Sequence, residues 1–389
     1  MRPGSGPRHA VASAVLVAMV GAACGDSGTA TTAAPAPTSP RTTAASTTTT
    51  APGTVETTTT TTLITTPTGS SPTLGEGTTS TTMAAPELGW VELSGAGPAP
   101  RRNAVIAFDP AGSLYLHGGQ SGGRAMADLW RYDLAAGEWT EISPGDGPSP
   151  RFAHTAIWDE PRSRLVVFSG QGGPGEFFSD VWAFDPAAGE WVELAGDRAG
   201  PENRYGSCAG YDPAGDRFLI SHGFTDGGRF DDTWAFDLGA GSWTEVSPAG
   251  ARPLRRCLHT CAYDPVDGSL FLFGGQSNDR ARHDDAWILD TGGWTEVATT
   301  GPAARKFTSA VPLGGEVLLF GGDGGDPLAD LWALDVGAGA WSPADVPGAA
   351  PPGRHSHAAA HDPATGRMWV FGGRGADGER ADLWQLLTG

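Results

Sequence analysis

The chain has 389 residues and a formal net charge of −19, with 44 Asp and Glu against 25 Lys and Arg. That balance argues against nucleic acid or anionic lipid as a partner, because both would be repelled. Hydrophobic residues at 39%, charged residues at only 18% and 58 glycines describe a chain with enough apolar matter for a large core and many turns.

The N-terminal stretch is read first. Arg2, Arg8 and His9 precede an apolar run from Ala10 to Val20 that ends in Gly21-Ala22-Ala23-Cys24. A charged start, a short apolar stretch and small residues form a secretory signal over residues 1–23, too short to span a bilayer comfortably. The cysteine directly after the small residues resembles a bacterial lipobox, although Gly21 stands where that motif prefers leucine. The resemblance implies a diacylated Cys24 as the mature N-terminus and only membrane anchor; plain secretion is the alternative. Residues 24–86 are threonine, alanine, serine and proline with almost nothing to bury, which predicts a disordered tether with an r.m.s. span of roughly 45 Å.

From there the chain repeats. An aspartate stands two residues before a tryptophan at Asp128-Leu129-Trp130, Asp180-Val181-Trp182, Asp232-Thr233-Trp234, Asp285-Ala286-Trp287, Asp330-Leu331-Trp332 and Asp382-Leu383-Trp384, at steps of 52, 52, 53, 45 and 52 residues. A fixed period of that size marks a repeat array. In the second unit, an apolar stretch runs from Arg151 to Trp158, turns at Asp159-Glu160-Pro161, and returns through Leu165-Val166-Val167-Phe168 to Ser169-Gly170. A glycine-rich connection leads to Asp180-Val181-Trp182-Ala183-Phe184-Asp185, and a further turn leads to Trp191-Val192-Glu193-Leu194. Each unit therefore reads as four antiparallel strands.

Glycine doublets close the second strand at Gly118-Gly119, Gly274-Gly275, Gly321-Gly322 and Gly372-Gly373, with degenerate copies at Ser169-Gly170 and Ser221-His222-Gly223. A second tryptophan follows the first by 9 residues at Trp139, Trp191, Trp243 and Trp341, and by 7 at Trp294. This order of double glycine, aromatic strand and tryptophan resembles the kelch repeat from Trp90 to Trp384. The expected fold is all-β: a six-bladed kelch-type β-propeller over residues 87–389. The last unit lacks its fourth strand and Trp90-Val91-Glu92-Leu93 has no unit before it, so the N-terminal strand should complete the C-terminal blade.

Three cysteines lie in the repeats. Cys257 and Cys261, four apart, are read as lying on one strand and too far apart to bond, whereas Cys208 stands where the adjacent blade could meet Cys261. A Cys208–Cys261 disulfide and three buried thiols packing as small core residues both remain open.

Strand direction places the arginines, glycine doublets and longer loops on one face of the ring, and tight turns such as Asp109-Pro110 and Asp212-Pro213 on the other. The first face is the expected binding face. Arg101, Arg151, Arg204, Arg256, Arg305 and Arg354 occupy one position in all six units. Lys306 is the single lysine, so an isolated arginine says little in this chain, but six-fold placement is a different matter. In the kelch domains that it resembles, arginines here line the channel mouth and bind acidic groups, as guanidinium forks suit carboxylates and phosphates. The other reading is structural, each arginine bonding loop carbonyls or an acidic neighbour.

Unequal residues at equivalent positions are further ligand-binding candidates: Tyr205 and His355 directly after their arginines, and His222 within a degenerate doublet. His154, His259 and His357 each stand three residues after an arginine, and the acidic loops at Asp231-Asp232 and His283-Asp284-Asp285 offer oxygen ligands. Core packing and solvated loops are the preferred readings, so no metal, no other cofactor and no catalytic residue is expected.

The function this supports is a non-catalytic extracytoplasmic binding protein. A lipid-anchored tether would display the propeller, and a glycan, acidic small molecule or protein would be held at the arginine-lined face by a monomer. The alternative is a kelch-fold carbohydrate-active enzyme, similar to a sugar-acid mutarotase or, less closely, to galactose oxidase.

Overall fold

The computed structural model describes residues 89–93, 95–298 and 300–387. The signal segment, Cys24 and the Thr-rich tether lie outside the described residues.

Apolar residues alternating with turn signals build six four-stranded antiparallel sheets, each one blade. Blade 1 runs Val105–Asp109, Ser113–His117, Leu129–Asp133, Glu138–Ile142. Blade 2 runs Thr155–Asp159, Arg164–Phe168, Val181–Asp185, Glu190–Ala195, and blade 3 Cys208–Asp212, Arg217–Ser221, Thr233–Asp237, Ser242–Glu245. Blades 4 and 5 repeat the order from Thr260–Asp264 and Ser309–Leu313. Blade 6 has Ala358–His361, Met368–Phe371 and Leu383–Leu387, and its outermost strand is Gly89–Leu93, paired from Gly89 opposite Leu387 to Leu93 opposite Leu383. The ring is closed by the N-terminal strand, as the unpaired Trp90 segment implied.

The second strands are apolar on both faces because each blade is packed between two others. Ser113–His117 and Ser269–Phe273 are buried at every residue. The first strands pack side by side around the axis, each against the first strand of the next blade and the sixth against the first. At the outer radius the fourth-strand tryptophan of each blade lies against the end of the preceding blade's second strand. Trp191 meets His117, Trp243 meets Phe168 and Trp341 meets Phe273, while Trp139 reaches back to Phe371 of blade 6, with ring centroids 4.9 to 5.4 Å apart. Trp90 fills the same place against Phe320 at 5.2 Å.

Cys257 and Cys261 do not share a strand. Leu258 between them has φ 60°, a left-handed turn that ends the short strand Arg256–Cys257 before Thr260–Asp264 begins. Cys208 and Cys261, on the first strands of blades 3 and 4, are joined by a disulfide with Cα atoms 5.3 Å apart. Cys257 stays outside that bond as a buried thiol. Among the described residues, no helix is long and apolar enough to cross a membrane.

Candidate functional site

The six arginines line no mouth. Each is at most 1% exposed. In blade 1, Nε of Arg101 donates to the Ala99 carbonyl, Nη1 to the Gly118 carbonyl and to Asp128, and Nη2 to the other Asp128 oxygen, the bonds to Asp128 being 2.7 Å. The same four bonds recur at Arg151, Arg204, Arg256, Arg305 and Arg354, always toward the aspartate of that blade's Asp-x-Trp. The aspartate also accepts the indole N–H of its own tryptophan, at 2.8 Å in all six blades. In five of the blades burial pushes the aspartate carboxyl up, and the bonds and charge of the arginine more than offset it. Asp128, Asp232, Asp285, Asp330 and Asp382 all sit below the ordinary carboxylate value. The arginines thus hold each blade's second and third strands together, and their forks are occupied by internal carboxylates in place of a ligand.

Their backbones tie the blades to one another. The second glycine of each doublet donates to the carbonyl of the next blade's arginine, from Gly119 to Arg151 onward, and Gly373 closes the series on Arg101. The first glycines take φ near 60° and are crowded by the same backbone. A Cβ at Gly118 would lie 2.7 Å from the Arg151 carbonyl oxygen, which explains the doublet.

Two residues past each arginine, the chain forms a ring on the axis. Asn103, Ala153, Gly206, Leu258, Phe307 and Ser356 all have φ between 49 and 64°, and each N–H donates to the carbonyl of the ring residue one blade earlier. The series closes from Asn103 to Ser356 at 2.7 Å. Six backbone bonds therefore pinch the channel at this face. Below the ring is a small chamber of about 140 Å³ walled in part by His154, His259 and His357.

His154 and His357 are packing residues. His154 Nε2 is 3.0 Å from His117 Nδ1 and His357 Nε2 is 2.7 Å from the Ser309 hydroxyl. His222, another binding candidate, is fully buried with Nδ1 2.7 Å from the Ser221 hydroxyl. Desolvation lowers His117, His222 and His357 to about 3, so all three are neutral imidazoles. Nor do the acidic loops form an ion site: Asp232 and Asp285 hold Arg204 and Arg256, and Asp231 pairs with Arg252 and Arg255 at 3.4 and 3.2 Å.

Above the ring rise two-stranded hairpins that the repeat pattern does not announce, among them Gln120–Ser121 with Arg124–Ala125 and Phe224–Thr225 with Gly228–Arg229. The residue after each arginine bridges to its hairpin. Here the blades differ. Tyr205 is buried, stacked on Phe177 at 5.7 Å and edge-on to Phe224 at 5.5 Å, and with Phe152 and Phe307 nearby this side of the axis is aromatic. Phe152, Phe177 and Phe307 remain half-buried. Beside Phe307, whose ring centroid is 5.3 Å from Lys306 Nζ, Lys306 and Arg282 both pair with Asp323, at 3.5 and 3.1 Å. His355 is buried with Nδ1 on the Ser356 hydroxyl.

The opposite, tight-turn face carries the larger cavity, about 370 Å³, walled by first strands and rimmed by Pro110, Pro213, Pro265 and Pro363. It is chiefly apolar, with Glu160, Tyr211, Tyr263 and His361 among its polar lining residues. Desolvation, with help from Asp159 and Asp216, raises Tyr211 to about 12, and desolvation lowers His361 to about 4.

The repeat geometry agrees with sequence similarity. The profile of the KLHDC2/KLHL20/DRC7 Kelch-repeats domain matches residues 78–264 and 242–388. The chain belongs to the kelch-repeat family. This kelch propeller is 30% identical over 257 residues to human multiple epidermal growth factor-like domains protein 8, covering 60% of this chain and 9% of that protein. It is 29% identical over 309 residues to Kelch domain-containing protein 10 of Bos taurus, with 72% and 68% of the two chains covered, and equally to the human protein of that name. The chain thus spans under a tenth of the first relative. A protein-interaction role is what a kelch propeller of this kind supports.

Proposed function

We propose that this kelch propeller is a non-catalytic interaction module, held outside the cell by the tether and a lipid on Cys24, that grips a segment of a partner protein on the hairpin face. One observation carries the choice of face and partner. Phe152 and Phe177 pack as partly exposed rings on the buried Tyr205, Phe307 of the axial ring is partly exposed against the same cluster, and the charged group of Lys306, Arg282 and Asp323 borders Phe307. Apolar centres with charged margins suit protein partners better than glycans or small anions. An acidic small ligand loses its expected receptor, because the arginine forks are filled from within. The enzyme alternative loses the same anion site.

Panning the full chain against a random-peptide library tests the reading. Selected peptides should bind the wild type and lose at least ten-fold in affinity on Phe152→Ala/Phe177→Ala. Peptides indifferent to that change but sensitive to Tyr211→Ala would move the site to the other face. For the anchor, Cys24→Ser should shift the protein from the membrane fraction to the medium, and an unchanged distribution would refute lipidation.

A further inference from the structure

Cys208, Cys261 and His259 form a cluster whose potential ligand atoms all lie within 4.8 Å of one another, the one such group of three among the described residues. The two sulfurs are joined in the structure. His259 is the independent clue. It is 6% exposed, and neither ring nitrogen makes a hydrogen bond of normal geometry. A buried imidazole whose nitrogens lack well-formed bonds is costly unless something else engages it. The His259 ring also packs edge-on to His222 with centroids 5.3 Å apart, which fixes it in place.

We propose that, once the Cys208–Cys261 bond is reduced, the two thiolates and the His259 imidazole bind a single borderline-soft cation such as Zn2+ in the wall between blades 3 and 4. Two thiolates and an imidazole are zinc-type ligands, and three protein ligands leave a tetrahedral ion one position for an exogenous group. A dithiol reductant supplies two electrons and two protons, ends as its own disulfide and leaves two thiols; the ion then displaces both protons. Bound metal and the disulfide exclude each other because they use the same sulfurs. Entry is from the tight-turn face, since Cys261 lines the larger cavity there. The axial ring closes the other approach.

The test uses the full chain with Cys24→Ser, reduced by a phosphine under anaerobic conditions and titrated with Co2+. One equivalent should give a thiolate-to-cobalt charge-transfer band that Zn2+ bleaches. The band should be absent from the oxidised protein and from Cys208→Ser, unchanged in Cys257→Ser, and require at least ten-fold more Co2+ in His259→Ala. No band from reduced protein with a native circular dichroism spectrum overturns the proposal, as does a band that survives Cys208→Ser or needs Cys257. If reduction unfolds the chain, refolding upon one equivalent of Zn2+ supports the site and failure to refold refutes it.

Discussion

Each Asp-x-Trp aspartate accepts two guanidinium bonds and one indole bond, so the two most regular residues of the repeat, arginine and aspartate, are partners. Removing one member of a buried ion pair leaves the other charge without compensation, at a cost of about 3–5 kcal/mol. Arg151→Ala should therefore lower the unfolding free energy by about that much in urea titration; a loss under about 1 kcal/mol would restore the ligand-binding reading. A cation and an anion that both recur in every unit make this pairing legible from charge alone. It is easily overlooked, because the aspartate is also the marker that precedes each tryptophan. The histidines set the pH response. His117, His222 and His357 have folded values of about 3 against 6.5 for the free group, so the unfolded chain binds more protons between those limits. Stability should be complete above pH 6.5 and fall as pH drops toward 3, by up to about 1.4 kcal/mol per unit for each imidazole. Denaturation midpoints at about pH 7.5, 6 and 5, chosen to bracket that window, check this, and a flat profile would contradict neutral burial.

At the scale of elements, the linkers that enter the blades are fitted to the indoles. A Cβ at Gly147 would stand 2.5 Å from Trp191 Cδ1, and Gly97, Gly200 and Gly301 are pressed in the same way against Trp139, Trp243 and Trp341. Gly147→Ala should cost about 1–3 kcal/mol through overpacking, read as a lower midpoint with an unchanged denaturant slope; no change would mean that the linker simply yields. Strands and turns were readable because alternation, turn residues and the recurring tryptophan step agree. The hairpins above the axial ring were not, since their strands are unlike pairs of residues such as Gln120-Ser121 and Phe224-Thr225, too short to show a period. Nor could the left-handed ring be seen: Asn103, Leu258 and Phe307 share a backbone conformation but no chemistry.

For the molecule as a whole, closure was legible from an orphan fourth strand, whereas the placement of the cavities was not. Channel width depends on small first-strand residues such as Ala209, Gly210 and Ala262 converging from several blades, and no single unit reveals it. Deleting residues 87–93 removes the partner of Leu383–Leu387 and bares Phe320. Losing Trp90 burial alone forfeits roughly 4–6 kcal/mol. The truncated chain should melt at lower temperature and less cooperatively, and a synthetic peptide of residues 87–93 should restore part of the loss; an unaltered transition would show that an incomplete last blade suffices.

The strand that closes the ring is also the one through which the N-terminal segment enters it. Any mechanical load carried along that segment reaches Gly89 first and is borne by the ladder from Gly89–Leu387 to Leu93–Leu383 together with the Trp90–Phe320 contact to blade 5. A steady pull is therefore expected to open the ring at this seam, by peeling its outermost strand, before the ladders of the other five blades are loaded.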